Sequence, residues 1–262
     1  MTKESVTESP WQDWRTVTPA RLALGRAGAG MPTDEILRFG WAHALARDAI
    51  HAALDVPALE SELRQHDWDV VQLRSRAADR TAYLRRPDLG RVLSPESDTL
   101  LQSLALPPSD ICVVIGDGLS SLAVARHAVP LLAALRSQLP ELRFAPIAIA
   151  AQARVALADD IAALSGAKLS IILIGERPGL SSPDSLGIYL THGPFRGLSD
   201  ADRNCISNVR PEGLNYELAA FKLAWLVREA FSRGLSGVDL KDESDLALLG
   251  PGAASLQLGK EA

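Results

Sequence analysis

Two ionisable residues, Glu176 and Arg177, follow directly on the apolar run Leu169–Ile174 in the stretch A-K-L-S-I-I-L-I-G-E-R-P-G-L. The run is too short for an ordinary helix and rich in β-branched residues, as a strand covered on both faces should be. Gly175 and Pro178-Gly179 end it, which sets an acid and a base at the carboxyl edge, where open α/β sheets bind their ligands. The pattern points to a ligand crevice without naming the ligand.

Other groups are weaker candidates. Gly116-x-Gly118-x-x-Ser121 follows an apolar run and opens a helical pattern, as a dinucleotide fingerprint does. Its third position should be Gly or Ala, and the following strand should end in Asp or Glu for the ribose; it ends Ile149-Ala150-Ala151-Gln152 instead. A self-sufficient NAD(P)-dependent oxidoreductase is therefore the runner-up reading. No G-x-S-x-G elbow occurs, and neither Cys112 nor Cys205 has a histidine nearby in sequence, leaving only a distant one such as His192. The Gly25–Gly30 loop is followed by Met31-Pro32 rather than Lys-Ser/Thr, so it reads as a close-packed turn and not as a phosphate cradle. His43 and His51 lie eight residues apart without a carboxylate at metal-ligand spacing and read as packing or surface residues.

The elements that must position these residues alternate after Pro107-Pro108. Strands are expected at 111–115, 143–149, 169–174, 187–191 and 205–209. Helices are expected at 119–139 (interrupted at Pro130), over Leu157, Ile161 and Leu164 up to Gly166, and at 215–233. The fold class expected is α/β: a Rossmann-like, doubly wound, mainly parallel sheet with a helical amino-terminal region. Its carboxyl edge would gather the turns 116–121, 150–156, 175–186 and 204–210. The division expected is a mobile arm at 1–16 whose Trp11 and Trp14 dock on a neighbouring surface, a mainly helical region at 17–107, a ligand-binding domain at 108–240 and a disordered tail at 241–262. Within the second region, 33–54 reads as a helix burying Phe39, Ala42, Ala46, Ile50 and Ala53, and 69–83 as a small hairpin.

Composition narrows the function further. The 262 residues are 47% hydrophobic, enough for a core without staples. Two cysteines argue against a disulfide framework and for a reducing cytosol. A net charge of −5, with 27 basic and 32 acidic residues and no basic run, disfavours nucleic acid as a partner. No 18-residue apolar segment or secretory leader is present, so a membrane span is not expected.

Several blocks in one order carry a family resemblance. They are G-R-A-G (25–28), T-A-Y-L-R-R-P-D-L-G (81–90), G-D-G-L-S (116–120), R-V (154–155), I-G-E-R-P-G (174–179) and D-R-N-C-I-S-N (202–208). Together, from about Arg15 to Gly237, they resemble the small, or light, subunit of ethanolamine ammonia-lyase. The resemblance implies an adenosylcobalamin-dependent lyase, converting ethanolamine to acetaldehyde and ammonia, in which a barrel-shaped large subunit does the catalysis. The small subunit would close the other side of the cofactor, with no catalytic residue of its own. Val155, Glu176 and Cys205 are the implied cofactor contacts, and Arg154, Arg177 and Ser207, from the same motifs, complete the candidate set. Val155 suits an apolar contact to a macrocycle face, Glu176 an acceptor for peripheral amides, and Cys205 a small polarizable wall. Without the resemblance, Glu176 reads equally as a solvated partner of Arg177, and Cys205 as a core residue. No histidine follows an Asp in a D-x-H-x-x-G motif, which fits a cofactor that keeps its own base. Only a short arm precedes Arg15, whereas some family members carry a longer extension associated with bacterial microcompartments. A free cytoplasmic enzyme is therefore expected at least as readily as a packaged one.

Overall fold

In the computed structural model, residues 6–249 are described. The chain begins with Thr7 paired to Arg26 through two backbone hydrogen bonds of 2.8 and 2.9 Å, followed by a 3-10 turn over Gln12–Thr16. In order follow α1 (Thr33–His51), α2 (Val56–Gln65), β1 (Val70–Arg74), α3 (Arg80–Arg85), α4 (Pro95–Ser103) and β2 (Ile111–Gly116). Next come α5 (Ser121–Gln138), β3 (Ile147–Ala151), α6 (Leu157–Ser165), β4 (Leu169–Gly175), β5 (Leu186–His192), β6 (Asn204–Val209), α7 (Tyr216–Arg233) and α8 (Ser244–Leu249). Of the expected tail, Gly250–Ala262 lies outside the described residues, as do residues 1–5 of the arm. No helix of the described residues is long and apolar enough to cross a membrane.

Six strands form one sheet in the order β1-β3-β2-β4-β5-β6. The first three pairings are parallel, and the last two, β4 with β5 and β5 with β6, are antiparallel. The protein is thus a mixed α/β fold with a mostly parallel sheet. Parallel neighbours need a crossover, and α5 and α6 supply two of them; antiparallel neighbours need only a reversal. The connection 176–185 is such a reversal, with Pro178-Gly179 and Pro183 and no helix. Alternating apolar runs do not separate the two cases, because β5 is buried along nearly its whole length, as a parallel strand would be.

Side-chain alternation divides the core in two. Ile111, Val113 and Ile115 of β2 face one way, with Ile147, Ile171, Leu173, Ile188 and Val209, and α2, α5 and α7 cover them. Cys112 and Val114 face the other way, with Ala148, Ile172 and Ile174, under α4 and α6. Asp159 and Asp160, at the start of α6, are buried there with guanidinium partners. Arg203 lies 2.5 Å from Asp159 and Arg196 lies 2.6 Å from Asp160. An acidic pair suits the positive end of α6, and each carboxylate pins the 193–203 connection to the helix.

Three details differ from the sequence reading. Residues 70–74 are no hairpin: they form the edge strand β1, parallel to β3, so the sheet draws strands from both sides of Pro107-Pro108. Pro130 stands inside α5 without ending it. In α1 the buried residues are Glu35, Ala42, Ala46 and Ala49, while Phe39 is exposed and Ile50 only half-buried. The helical period was right, but the stripe that packs on the body is built of small residues rather than large ones.

Candidate functional site

Register places the site. Gly175, Leu186 and Val209 lie side by side at one rim of the sheet, where β2 and β4 end. A groove of about 320 Å³ opens there, lined by Tyr83, Arg154, Val155, Ile174, Glu176 and Tyr189, with the turn at Gly118-Leu119 and Arg177. Four of the six sequence candidates, Arg154, Val155, Glu176 and Arg177, therefore share one groove. Ser207 joins them through a hydrogen bond of 2.6 Å from its hydroxyl to Glu176 Oε1. Cys205 stands apart from the rim: it pairs across the strands with Tyr189, which pairs with Ile172, about 10 Å below Gly175 along the strand. It is exposed on the same sheet face as Ser207.

That face is bare because no α-helix lies between β5 and β6, and α7, which follows β6, packs on the opposite face with Ile206 and Val209. A bulge in β6 adapts it further. Leu186 pairs with Val209 and Ile188 with Ile206, so Ser207 and Asn208 together oppose Gly187, and Asn208 takes φ +61°. The extra residue turns the Ser207 hydroxyl and the Asn208 N–H toward Glu176. Its carboxylate accepts from Ser185 Oγ, from Ser207 Oγ and, at 3.3 Å, from Asn208 N. Gly187 leaves room for this: a Cβ there would meet Glu176 Oε1 at 3.0 Å. Glu176 is thus fixed by two hydroxyls and an amide rather than by Arg177, and it lines the groove.

Neighbouring groups are held neutral. Burial, together with the nearby Cys205 and Glu176, raises the Tyr189 hydroxyl, which stays protonated as a donor. Burial also raises the Cys205 thiol. A thiol held neutral is a poor nucleophile.

The turn that carries Arg154 and Val155 has a support absent from the sequence candidates. Tyr83, fully buried, donates its hydroxyl to the Ala153 carbonyl at 3.0 Å. Its ring lies between two guanidiniums, Arg154 at 4.2 Å and Arg80 at 4.8 Å from the centroid. Asp117 accepts from Ala153 N at 2.9 Å and lies 3.6 Å from Arg80. Gly90 closes the stack, because a Cβ there would meet Arg154 Cγ at 2.8 Å. Burial pushes the Tyr83 hydroxyl up to about 12, so it remains a donor across ordinary pH. The T-A-Y-L-R-R-P-D-L-G block is thus the floor beneath the Arg154-Val155 turn. Nothing in the local sequence of Tyr189 marks it as a groove residue.

The glycines 116 and 118 serve packing rather than phosphate. A Cβ on Gly118 would meet the Gly175 carbonyl oxygen at 2.3 Å, and one on Gly116 the Ala153 Cβ at 2.9 Å. Leu119 N donates to that same Gly175 oxygen at 2.9 Å, and Ser120 Oγ donates to the Pro183 carbonyl at 2.8 Å. A pyrophosphate would need this space at the start of α5, and the 175–183 segment fills it. The oxidoreductase alternative is not supported.

Comparison with known proteins agrees with the blocks noted in the sequence. The family model described as ethanolamine ammonia-lyase light chain (EutC) matches residues 8–241. A protein of Azotobacter vinelandii named ethanolamine ammonia-lyase small subunit is 54% identical over 266 aligned residues, covering 98% of this chain and 98% of the relative. Proteins of the same name from Ralstonia nicotianae and Pseudomonas syringae pv. tomato are 51% and 53% identical, over 98% and 92% of this chain and 97% and 86% of theirs. With this coverage, the chain belongs to the ethanolamine ammonia-lyase small-subunit (light-chain) family.

Proposed function

We propose that this chain is the cofactor-covering subunit of an adenosylcobalamin-dependent ethanolamine ammonia-lyase, forming one wall of a corrinoid site whose other wall is the large subunit. The observation that carries this reading is the bare half-face at the rim, where Val155, Glu176, Arg154 and Arg177 line one open groove and Ser207 braces Glu176. The name small subunit, borne by the relatives, supports a larger partner. At about 320 Å³ the groove holds one edge of a macrocycle and does not enclose it, which suits a shared site. We further read the sheet as a Rossmann-like, doubly wound variant whose last two strands have reversed.

The residues present fit such a group. Val155, Ile174 and Leu119 offer an apolar wall for a ring face, and Glu176, fixed by three donors, offers acceptor positions to amide side chains of a corrin. Arg154 and Arg177 offer donors to carbonyl oxygens or to a phosphodiester. When bound, adenosylcobalamin supplies the radical that starts the conversion of ethanolamine to acetaldehyde and ammonia. The chain's own residues orient the cofactor and exclude water from its exposed side; none is placed to move a proton of the substrate.

Val155→Arg sets an unpaired charge against the ring face. In the assembled enzyme it should weaken cobalamin binding on the order of a hundredfold, read by absorbance titration. An unchanged titration would remove Val155 from the site. Glu176→Gln retains an acceptor oxygen and should cost less than about tenfold in the same titration.

A further inference from the structure

Among the described residues, fifteen large apolar side chains are exposed, and eleven of them lie in residues 6–45. Trp11, Trp14 and Trp41 are 64%, 58% and 68% exposed. On α1, Leu37, Trp41 and Leu45 recur every four residues along one ridge, and Phe39 opens to a second side. Apolar ridges on a helix are ordinarily covered, yet the buried residues of α1 are only Glu35 and the narrow stripe of Ala42, Ala46 and Ala49. Nothing among the described residues covers its apolar ridges.

We infer that α1 and the tryptophan arm are the docking surface for the large subunit of the lyase, an interaction that rests on the function proposed above. Size is the first argument. Three tryptophans so exposed present on the order of 400 Å², and the 6–45 surface together on the order of 1,000 Å². The largest apolar patch on a typical monomer is about 300–600 Å², and one side of a standard interface is about 800 Å². This surface is therefore scaled for a stable partner and not for a transient one. Its position is the second argument. Arg21 donates to the Leu180 carbonyl at 3.3 Å and to Ser181 Oγ at 3.5 Å, within the 176–185 loop that frames the groove. At the other end of α1, Arg80 donates to the Ile50 carbonyl at 2.7 Å and to the Gly118 carbonyl at 2.7 Å. One polypeptide lying on α1 is thereby brought against the groove, so a single partner closes both. The third argument is local shape: Trp11, Trp14, Leu22 and Ala23 line an open apolar hollow of about 510 Å³, suited to a protruding apolar side chain. Arg15 ties this arm to α1 by an ion pair of 2.9 Å with Glu35, so arm and helix present one surface.

The test is the reconstituted heteromer. Leu37→Glu with Trp41→Glu, and separately Trp11→Ser with Trp14→Ser, should each weaken association with the purified large subunit about a hundredfold or more, measured by interferometry. Both pairs are exposed, so circular dichroism and Tm of the isolated chain should be unchanged. Val155→Arg, in the same assay, should assemble normally while losing corrinoid. If Val155→Arg keeps corrinoid and the α1 variant fails to assemble, the cofactor site is misplaced and the docking surface stands. If either double variant binds the large subunit as the wild type does, the inference is overturned. It is equally overturned if light scattering shows that the substitutions abolish only a homodimer, since a second copy would then be the occupant.

Discussion

One face of the sheet is closed over β2, β3 and β4 and open over β5 and β6. On the closed half, α4 and α6 bury Cys112, Val114, Ala148 and Ile172, and two aspartates of α6 hold Arg196 and Arg203. On the open half, the residues in register with Ile172 are Tyr189 and Cys205, with Ser207 of the bulge on the same face and none of them under a helix. The cause is topological. A parallel pairing forces the chain back across the sheet through a helix, whereas the reversals into β5 and β6 leave none behind. An uncovered surface arises here from an omitted crossover, and the same strand chemistry serves core on one half and an open face on the other.

The contrast can be broken most severely on the closed half. Asp159→Ala leaves Arg203, 2% exposed, with only the solvent-exposed Asp200, 3.0 Å away, to answer its buried charge, and removes the acceptor of Ser170 Oγ. It should cost about 3–5 kcal/mol, a fall of roughly 10 °C in Tm by calorimetry. A loss under about 1 kcal/mol would show that the α6 clamp does not hold the closed half. At the junction of the halves, Tyr83→Phe keeps the ring between Arg80 and Arg154 and removes only the bond to Ala153. A stability loss of about 1 kcal/mol is expected in chemical denaturation, with weaker corrinoid binding in the heteromer. The opposite sheet face offers a pH test. His127, buried with Nδ1 2.8 Å from Tyr216 Oη, is held below the usual imidazole range chiefly by burial, against the pull of Asp184 and with Arg126 nearby. Its folded value is lowered, so the unfolded chain binds more protons. The stability it contributes is complete above about pH 6.5 and is lost as pH falls below that. His127→Gln should flatten the Tm profile in that window, and an unaltered profile would exclude His127 as the source. Smallest of all, Cys205→Ser on the open half should change stability by no more than about 0.5 kcal/mol.

Legibility followed burial. β2 and β4 were readable because each is an apolar run between turn residues, and α7 because its apolar face repeats over its full length; β3 was read only in part, at 143–149 where the strand is Ile147–Ala151. β1 was not, since an edge strand reading V-V-Q-L-R with mixed burial has no period strong enough to distinguish it from a hairpin arm. The direction of β5 was hidden because burial on both faces erases the alternation that marks antiparallel strands. Phe39 was misplaced on α1 because periodicity tells that a helix has an apolar stripe, not which of several stripes meets its own chain. At the site, Glu176 and Arg177 followed from the strand end that precedes them, while Val155, Cys205 and Ser207 rested on the family blocks. Tyr83 and Asp117 act from beneath through contacts 70 and 36 residues away in sequence, a separation no local pattern records.

The interlock of Gly118 with Gly175 has a mechanical consequence. With backbone touching backbone, the turn after β2 and the turn after β4 share one surface and have no flexible side chain between them to absorb a shift. Displacing one must move the other, so the rim holding Glu176 and the start of α5 behave as a single stiff lip. Loop grafting at this edge would therefore have to exchange both turns as a unit.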